Sequence, residues 1–195
     1  MNGETLTQLV ECGLTLSEGV TPEEVTARLG AFASHFGDAP SEFAEWLGVL
    51  VAMGGGRSPD VATIDPECDA DYPAVIAELN RLAGADLVRV LSWSGMVEDE
   101  EQPLTVTVEL PAATHSTWEF ENQGDWIDVS VVSKYATVLV SASLRRLYEV
   151  EIGDEQWSDD WVPNLMAQNV LFVCCEPSVR DAVAAATPLR LVPVS

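Results

Sequence analysis

The chain has 195 residues, which is enough for one large domain or two small ones with a buried core. Apolar residues make up 47% of it, which excludes a disordered acidic tail, and no apolar run approaches the roughly 20 residues that span a bilayer. Acidic residues number 32 against 9 basic ones, a net charge of −23, which disfavours direct contact with nucleic acid or anionic membranes and favours a basic protein partner. A genome with acidic, lysine-poor proteins would explain the same charge.

The first part of the chain, 1–85, has the pattern of four amphipathic helices. Thr21, Pro22 and Glu24 form a capping box, the next helix begins near Ser41, and Gly84 follows the last one. The glycines at 54–56 predict the end of the third helix and a loop that continues to about Pro66. We expect the four helices near residues 6–13, 21–37, 41–53 and 73–83.

The second part, 86–195, has the pattern of strands. Apolar residues alternate with polar ones in Thr105–Leu110, Trp118–Glu121 and Leu147–Ile152, which is typical of half-buried antiparallel strands. If these strands share one sheet, its outer face carries five glutamates: Glu109, Glu119, Glu121, Glu149 and Glu151. Because like charges on neighbouring strands repel, we expect this face to serve a basic partner.

Further segments complete this sheet-containing part. Residues 87–93 predict a strand, and the small residues from Pro111 to Thr117 predict a turn that holds His115. For 129–142 helix and strand both remain open, and the position of Asp128 as a cap favours helix. Residues 170–174 predict a central strand, 177–186 a short helix and 189–194 an edge strand, since Pro193 cannot donate to a ladder.

Helices first and mostly strands later indicate an α+β fold. We expect N-terminal helices packed on a mainly antiparallel sheet with one or two further helices. Each half is small, so we expect the two to share a core within one compact domain, 1–195.

Three tryptophans, Trp126, Trp157 and Trp161, lie among carboxylates in predicted loops, beside Asp159 and Asp160. Tryptophans bordered by acids resemble the anchors of a protein interface. The alternative is that these side chains fold back to cover the sheet. Together with the five glutamates, these five residues are our predicted partner-binding set.

The supply of reactive groups argues against an enzyme. No nucleophile, phosphate-binding or zinc-protease motif is present, and neither His35 nor His115 has a partner at a recognisable spacing. The cysteines, Cys12, Cys68, Cys174 and Cys175, have no metal-ligand spacing and fit buried thiols in a reducing compartment. We therefore expect no catalytic residue, no metal and no cofactor, and a cytoplasmic location.

One stretch of the chain carries a family resemblance. It runs from Gly124-Asp125-Trp126-Ile127-Asp128 through an amphipathic stretch to Arg145-Arg146-Leu147-Tyr148, then to a turn at 153–156 and an apolar strand. Across about 104–187 this pattern resembles small acidic immunity-type proteins encoded beside bacterial toxins. The resemblance implies a stoichiometric inhibitor that covers the active site of a cationic toxin.

Three classes of function follow from these features. The leading one is a non-enzymatic acidic module that binds and masks a basic protein, such as a toxin. The second is a DNA mimic or anti-defence protein that occupies a nucleic-acid site on its target. The third is a metal-binding or enzymatic domain. The sequence specifies neither the partner nor the oligomeric state.

Overall fold

The computed structural model describes residues 3–33, 41–66, 71–94, 102–123, 126–157, 161–166 and 169–195. The helices in these residues are α1 (Gly3–Glu11), α2 (Pro22–Ala33), α3 (Glu42–Met53), α4 (Tyr72–Ala83), α5 (Ser130–Ala142), α6 (Asp154–Trp157), α7 (Trp161–Met166) and α8 (Pro177–Ala186). The strands are β1 (Val61–Ile64), β2 (Arg89–Trp93), β3 (Leu104–Leu110), β4 (Thr114–Phe120), β5 (Arg146–Glu151), β6 (Val170–Cys175) and β7 (Arg190–Pro193). The predicted α+β class is confirmed.

Three helices begin or end where the sequence predicts: α2 and α3 at their starts and α4 at its end. In the capping box before α2, the Thr21 N–H donates to Glu24 Oε2 at 2.9 Å and the Glu24 N–H donates to Thr21 Oγ1 at 3.3 Å. Ser41 Oγ accepts the Ala44 N–H at the start of α3. Gly84 ends α4 with φ at +69°, the left-handed conformation that glycine adopts without strain.

The ambiguous segment 129–142 is helical, so the favoured alternative is confirmed. Asp128 Oδ1 accepts the Ser130 N–H at 2.8 Å, and its Oδ2 accepts the Glu121 N–H at 3.1 Å. The carboxylate thus fixes the start of α5 and ties it to the end of β4.

A four-stranded antiparallel sheet has the order β1-β6-β5-β7. The apolar strand β6 is central and buried, as predicted. The strand β7 lies at the sheet edge, where the sequence places Pro193. The strand β1 was not predicted: the loop expected after the glycines at 54–56 contains this short strand, which pairs with β6. The first part of the chain therefore contributes to the same sheet as the second.

A separate three-stranded antiparallel sheet has the order β2-β3-β4. The prediction of one acidic sheet is therefore wrong, because β5 pairs with β6 and β7 rather than with β3 or β4. The predicted turn around His115 is also shorter than expected. It occupies Pro111–Ala113, and His115 lies in β4, opposite Glu109.

The four-stranded sheet separates two hydrophobic cores. One face packs against α1, α2, α3, α7 and α8, and the other packs against α4, α5 and the three-stranded sheet. Consecutive residues of β6 alternate between them: Leu171, Val173 and Cys175 enter the first core, and Phe172 and Cys174 enter the second.

Candidate functional site

The five predicted glutamates lie on two different surfaces. Glu109 and Glu119 project from the three-stranded sheet, and Glu121 follows directly after β4. Glu149 and Glu151 lie on one side of β5, in the other sheet. None of the strand pairings places two of these glutamates directly opposite each other, so the expected cross-strand repulsion is absent.

On the three-stranded sheet, the charge of Glu109 is partly compensated. Its Oε2 accepts the Arg89 Nε–H at 2.7 Å, and His115 Nε2 lies 3.5 Å from Oε1. The hydrogen bond from Arg89 is the main reason why the pKa of Glu109 is lowered. Glu119 is exposed and faces Thr105 across the strand pair. This surface is therefore a mixed polar one rather than a row of acids.

The second surface is the side of β5 and β7 that faces α5, and we call it the β5–β7 face. Three pairs of opposed side chains occupy it in sequence: Leu147 with Val194, Glu149 with Val192, and Glu151 with Arg190. Leu147 is buried, whereas Glu149 is exposed and Val192 is 42% exposed. The second core therefore buries the Leu147–Val194 pair but leaves the Glu149–Val192 pair exposed to solvent.

A groove of about 320 Å³ lies where the buried part of this face ends, and we call it the α5 groove. It is lined by Val129, Val132, Ser133, Glu149, Val170, Phe172 and Val194. Five of these side chains are purely hydrocarbon and surround a single carboxylate; four of the five are buried or partly buried, and Val129 is exposed. Among the described residues, the Glu149 side chain has neither an ion pair nor a hydrogen bond. The groove thus combines an aliphatic wall with an uncompensated negative charge.

Two other predicted residues are exposed. Trp126 is 40% exposed and immediately precedes the Ile127-Asp128 segment that starts α5. Trp157 is 42% exposed in the single turn α6, which follows β5. A second groove, of about 470 Å³, begins there; its lining includes Glu151, Asp154, Glu155 and Arg190.

The remaining predicted residues do not join this surface. Trp161 was expected in a loop among acids, but it starts α7 and is only 4% exposed in the first core. For Trp161 the alternative interpretation, a tryptophan folded back onto the protein, therefore holds. Asp159 and Asp160 lie outside the described residues, as do His35 and Cys68.

The thiols of β6 are placed for packing. Cys174 and Cys175 are buried on opposite faces of the strand, and burial raises their pKa values to about 11 and about 12. Cys12 is partly exposed, and burial is also the main reason why its pKa is raised. No group of three or more potential metal ligands occurs among the described residues.

The aliphatic part of the α5 groove is not evident from the sequence. Val129 precedes the helix, Val170 lies in β6 and Val194 follows β7, so no local pattern connects them. A usable signal was available in 129–142. The stretch has more valines than one buried helical stripe needs, and Val129 and Val140 are 58% and 50% exposed.

No family model matches the chain, and comparisons with curated proteins and with solved structures also give no significant match. None of the described helices has the length and apolar character that crossing a membrane requires.

Proposed function

We propose that this protein is a non-enzymatic acidic module that binds and masks a basic protein partner, in the manner of an immunity-type inhibitor of a toxin. The observation that carries the proposal is the β5–β7 face, where Glu149 has no compensating base in the described part of the chain and lies beside exposed aliphatic side chains. A charged and apolar surface of this kind is typical of a protein interface rather than of a solvated sheet.

The charge of the whole chain supports the same partner class. With a net charge of −23, the protein attracts cationic molecules over distances longer than direct contact and raises their association rate. The exposed tryptophans Trp126, which precedes α5, and Trp157, in α6 after β5, can supply the large amphipathic contacts that dominate binding energy at many interfaces.

The test begins with capture of partners from the native host, followed by association kinetics on the captured protein. We expect a basic protein whose association slows at high salt. The Glu149→Gln/Glu151→Gln variant should bind it more slowly and with a shallower salt dependence. The Glu119→Gln/Glu121→Gln variant removes the same charge from the other surface and serves as the matched control. Capture of a neutral or acidic partner, or association independent of salt, contradicts the proposal.

The same experiment addresses the DNA-mimic alternative. A DNA mimic occupies the nucleic-acid site of its target, so duplex DNA should then compete with this protein for the captured partner. If DNA does not affect binding, the site that this protein covers on its partner is not a nucleic-acid site.

A further inference from the structure

We infer that the α5 groove receives a lysine or arginine side chain flanked by aliphatic residues, presented by an amphipathic segment of the partner. This inference rests on the proposed function and specifies the chemistry of the partner surface. It follows from three properties of the groove: its incomplete cover, its single carboxylate and the form of the neighbouring sheet edge.

The incomplete cover provides an aliphatic surface. Across the sheet, Glu149 is opposed by Phe172 on one side and by Val192 on the other. Phe172 is only 4% exposed, whereas Val192 is 42% exposed, so α5 covers the inner strand and leaves the outer one open. A segment lying beside α5 would bury the exposed parts of Val129 and Val192 and extend the existing layer over the sheet.

The single carboxylate selects the head group. Lysine and arginine pack their methylene stems on apolar surface while the charged end remains free to pair. In the α5 groove the valines would contact the stem, and Glu149 would accept hydrogen bonds from the ammonium or guanidinium group. At about 320 Å³ the groove lies at the lower end of the usual range for binding pockets, which suits one or two side chains.

The edge of the sheet favours docking on the face over addition of a strand. The Val194 N–H donates inward to the Leu147 carbonyl, so in an antiparallel ladder the backbone groups of Val192 point inward as well. The outward positions are Leu191 and Pro193, and Pro193 has no N–H to donate. An added strand would therefore lack a hydrogen bond at this edge.

A second copy of this chain is a poor occupant, since each copy carries a net charge of −23 and the groove itself is acidic. A basic segment of another protein is complementary to both features.

Two synthetic amphipathic peptides of equal length test the inference on the full chain. Both have the same leucine face, and the polar face carries lysine in one and glutamine in the other. Affinities are measured by calorimetry at low and high salt. We expect Glu149→Gln and Val192→Thr each to weaken binding of the lysine peptide about 3- to 10-fold. A loss of this size is expected when one partly exposed charge pair or one buried methyl contact is removed. Glu149→Gln should not change the weaker binding of the glutamine peptide.

The controls match the changes in chemistry and exposure. Glu119→Gln removes an exposed glutamate from the other sheet, and Val10→Thr changes a valine that, like Val192, is 42% exposed. Both should change the affinity less than about 2-fold. Circular dichroism and the melting temperature confirm that all four variants fold.

Three outcomes overturn the inference. If all four variants lose affinity for the lysine peptide equally, the overall charge and hydrophobicity of the protein bind the peptide rather than the α5 groove. The proposed function is then still possible without the groove. Equal affinity for the two peptides means that Glu149 does not select a base, while salt-dependent capture of a basic host protein still supports the proposed function. Concentration-dependent self-association that Val192→Thr abolishes means that a second copy occupies the groove.

Discussion

Asp60 and Arg145 form the least exposed ion pair among the described residues, with 10% and 24% of their side chains exposed. The carboxylate also accepts hydrogen bonds from the Thr15 N–H and hydroxyl, and the guanidinium also donates to the Cys174 carbonyl. These contacts connect the segment after α1, the start of β1 and the end of β6. The pair therefore joins parts of the chain that are 85 residues apart.

Removing one partner of this pair should be costly. Arg145→Met leaves the Asp60 carboxylate buried without its cation, and we expect a loss of about 3 kcal/mol in the free energy of unfolding, measured by urea denaturation. The matched control is Arg190→Met, because Arg190 pairs with Glu151 at 80% and 50% side-chain exposure. That change should cost less than about 1 kcal/mol. Equal losses in the two variants would show that the Asp60–Arg145 pair has no special weight.

The two thiols of β6 provide a second prediction at this scale. Cys174 and Cys175 are buried, so reagents cannot reach them in the folded protein, and the raised pKa values keep both protonated near pH 8. In a Cys12→Ser/Cys68→Ser variant, we expect the remaining thiols to react with a disulfide reagent only after denaturation. Rapid reaction in the native protein, or a stable bond between Cys174 and Cys175, would contradict the packing role.

The same pKa shifts determine how stability depends on pH. An acid whose pKa is raised in the folded state keeps its proton there while the unfolded chain loses it. Unfolding therefore releases protons at alkaline pH, and stability falls as the pH rises. The contribution of these thiols to the free energy of unfolding is complete below their ordinary pKa of 9.0. It declines as the pH rises toward their folded-state pKa values of about 11 and about 12. Replacing both by alanine should reduce this alkaline loss of stability in denaturation curves recorded across that range.

Among the elements, the turn between β3 and β4 is the most strained described one. Ala112 and Ala113 have φ values of +64° and +56°, in the left-handed region that costs a residue with a Cβ about 1–2 kcal/mol. Glycine removes this cost but gives the unfolded chain more freedom. We expect Ala112→Gly to raise the free energy of unfolding by roughly 0.5 kcal/mol. Ala77→Gly, on the exposed side of α4, should lower it by up to about 1 kcal/mol. A loss of stability in both variants would contradict the strained turn.

How far each element could be predicted depends on where its signal lies. Capping residues are local, so Thr21, Ser41 and Gly84 place their helix ends correctly from sequence alone. The strand β1 has only four residues and follows a glycine-rich turn. Its partner strand β6 lies about a hundred residues further along the chain. Nothing in its own residues distinguishes it from an apolar loop.

The candidate site shows the same limit. Alternation correctly indicates which side of each strand carries the glutamates, because that depends only on the period of two. Which strands are neighbours depends on tertiary packing, so the five glutamates expected on one face lie in or directly after strands of two different sheets. Register adds a further effect that alternation cannot supply: it places His115 opposite Glu109 and Arg190 opposite Glu151.

For the molecule as a whole, the four-stranded sheet is shared by both cores, and β6 is an inner strand of that sheet. Leu171 is fully buried in the first core, and its neighbour Phe172 is 4% exposed in the second. The strand pairs with β1 from the first part of the chain and with β5 from the second. The loss of either side chain should therefore weaken the contact surface on which both cores are built.

This arrangement predicts that the two cores unfold together. Leu171→Ala should cost about 2–5 kcal/mol and Phe172→Ala about 3–5 kcal/mol, and each should shift one common transition to lower denaturant concentration. Tryptophan fluorescence reports on both cores, because Trp46 and Trp161 lie in the first and Trp118 in the second, while circular dichroism reports on the helices. Val140→Ala, at an exposed position on α5, is the control and should change stability by less than about 0.5 kcal/mol. If Phe172→Ala instead separates the fluorescence and circular dichroism curves into two transitions, β6 does not couple the cores, and each unfolds as a unit of its own.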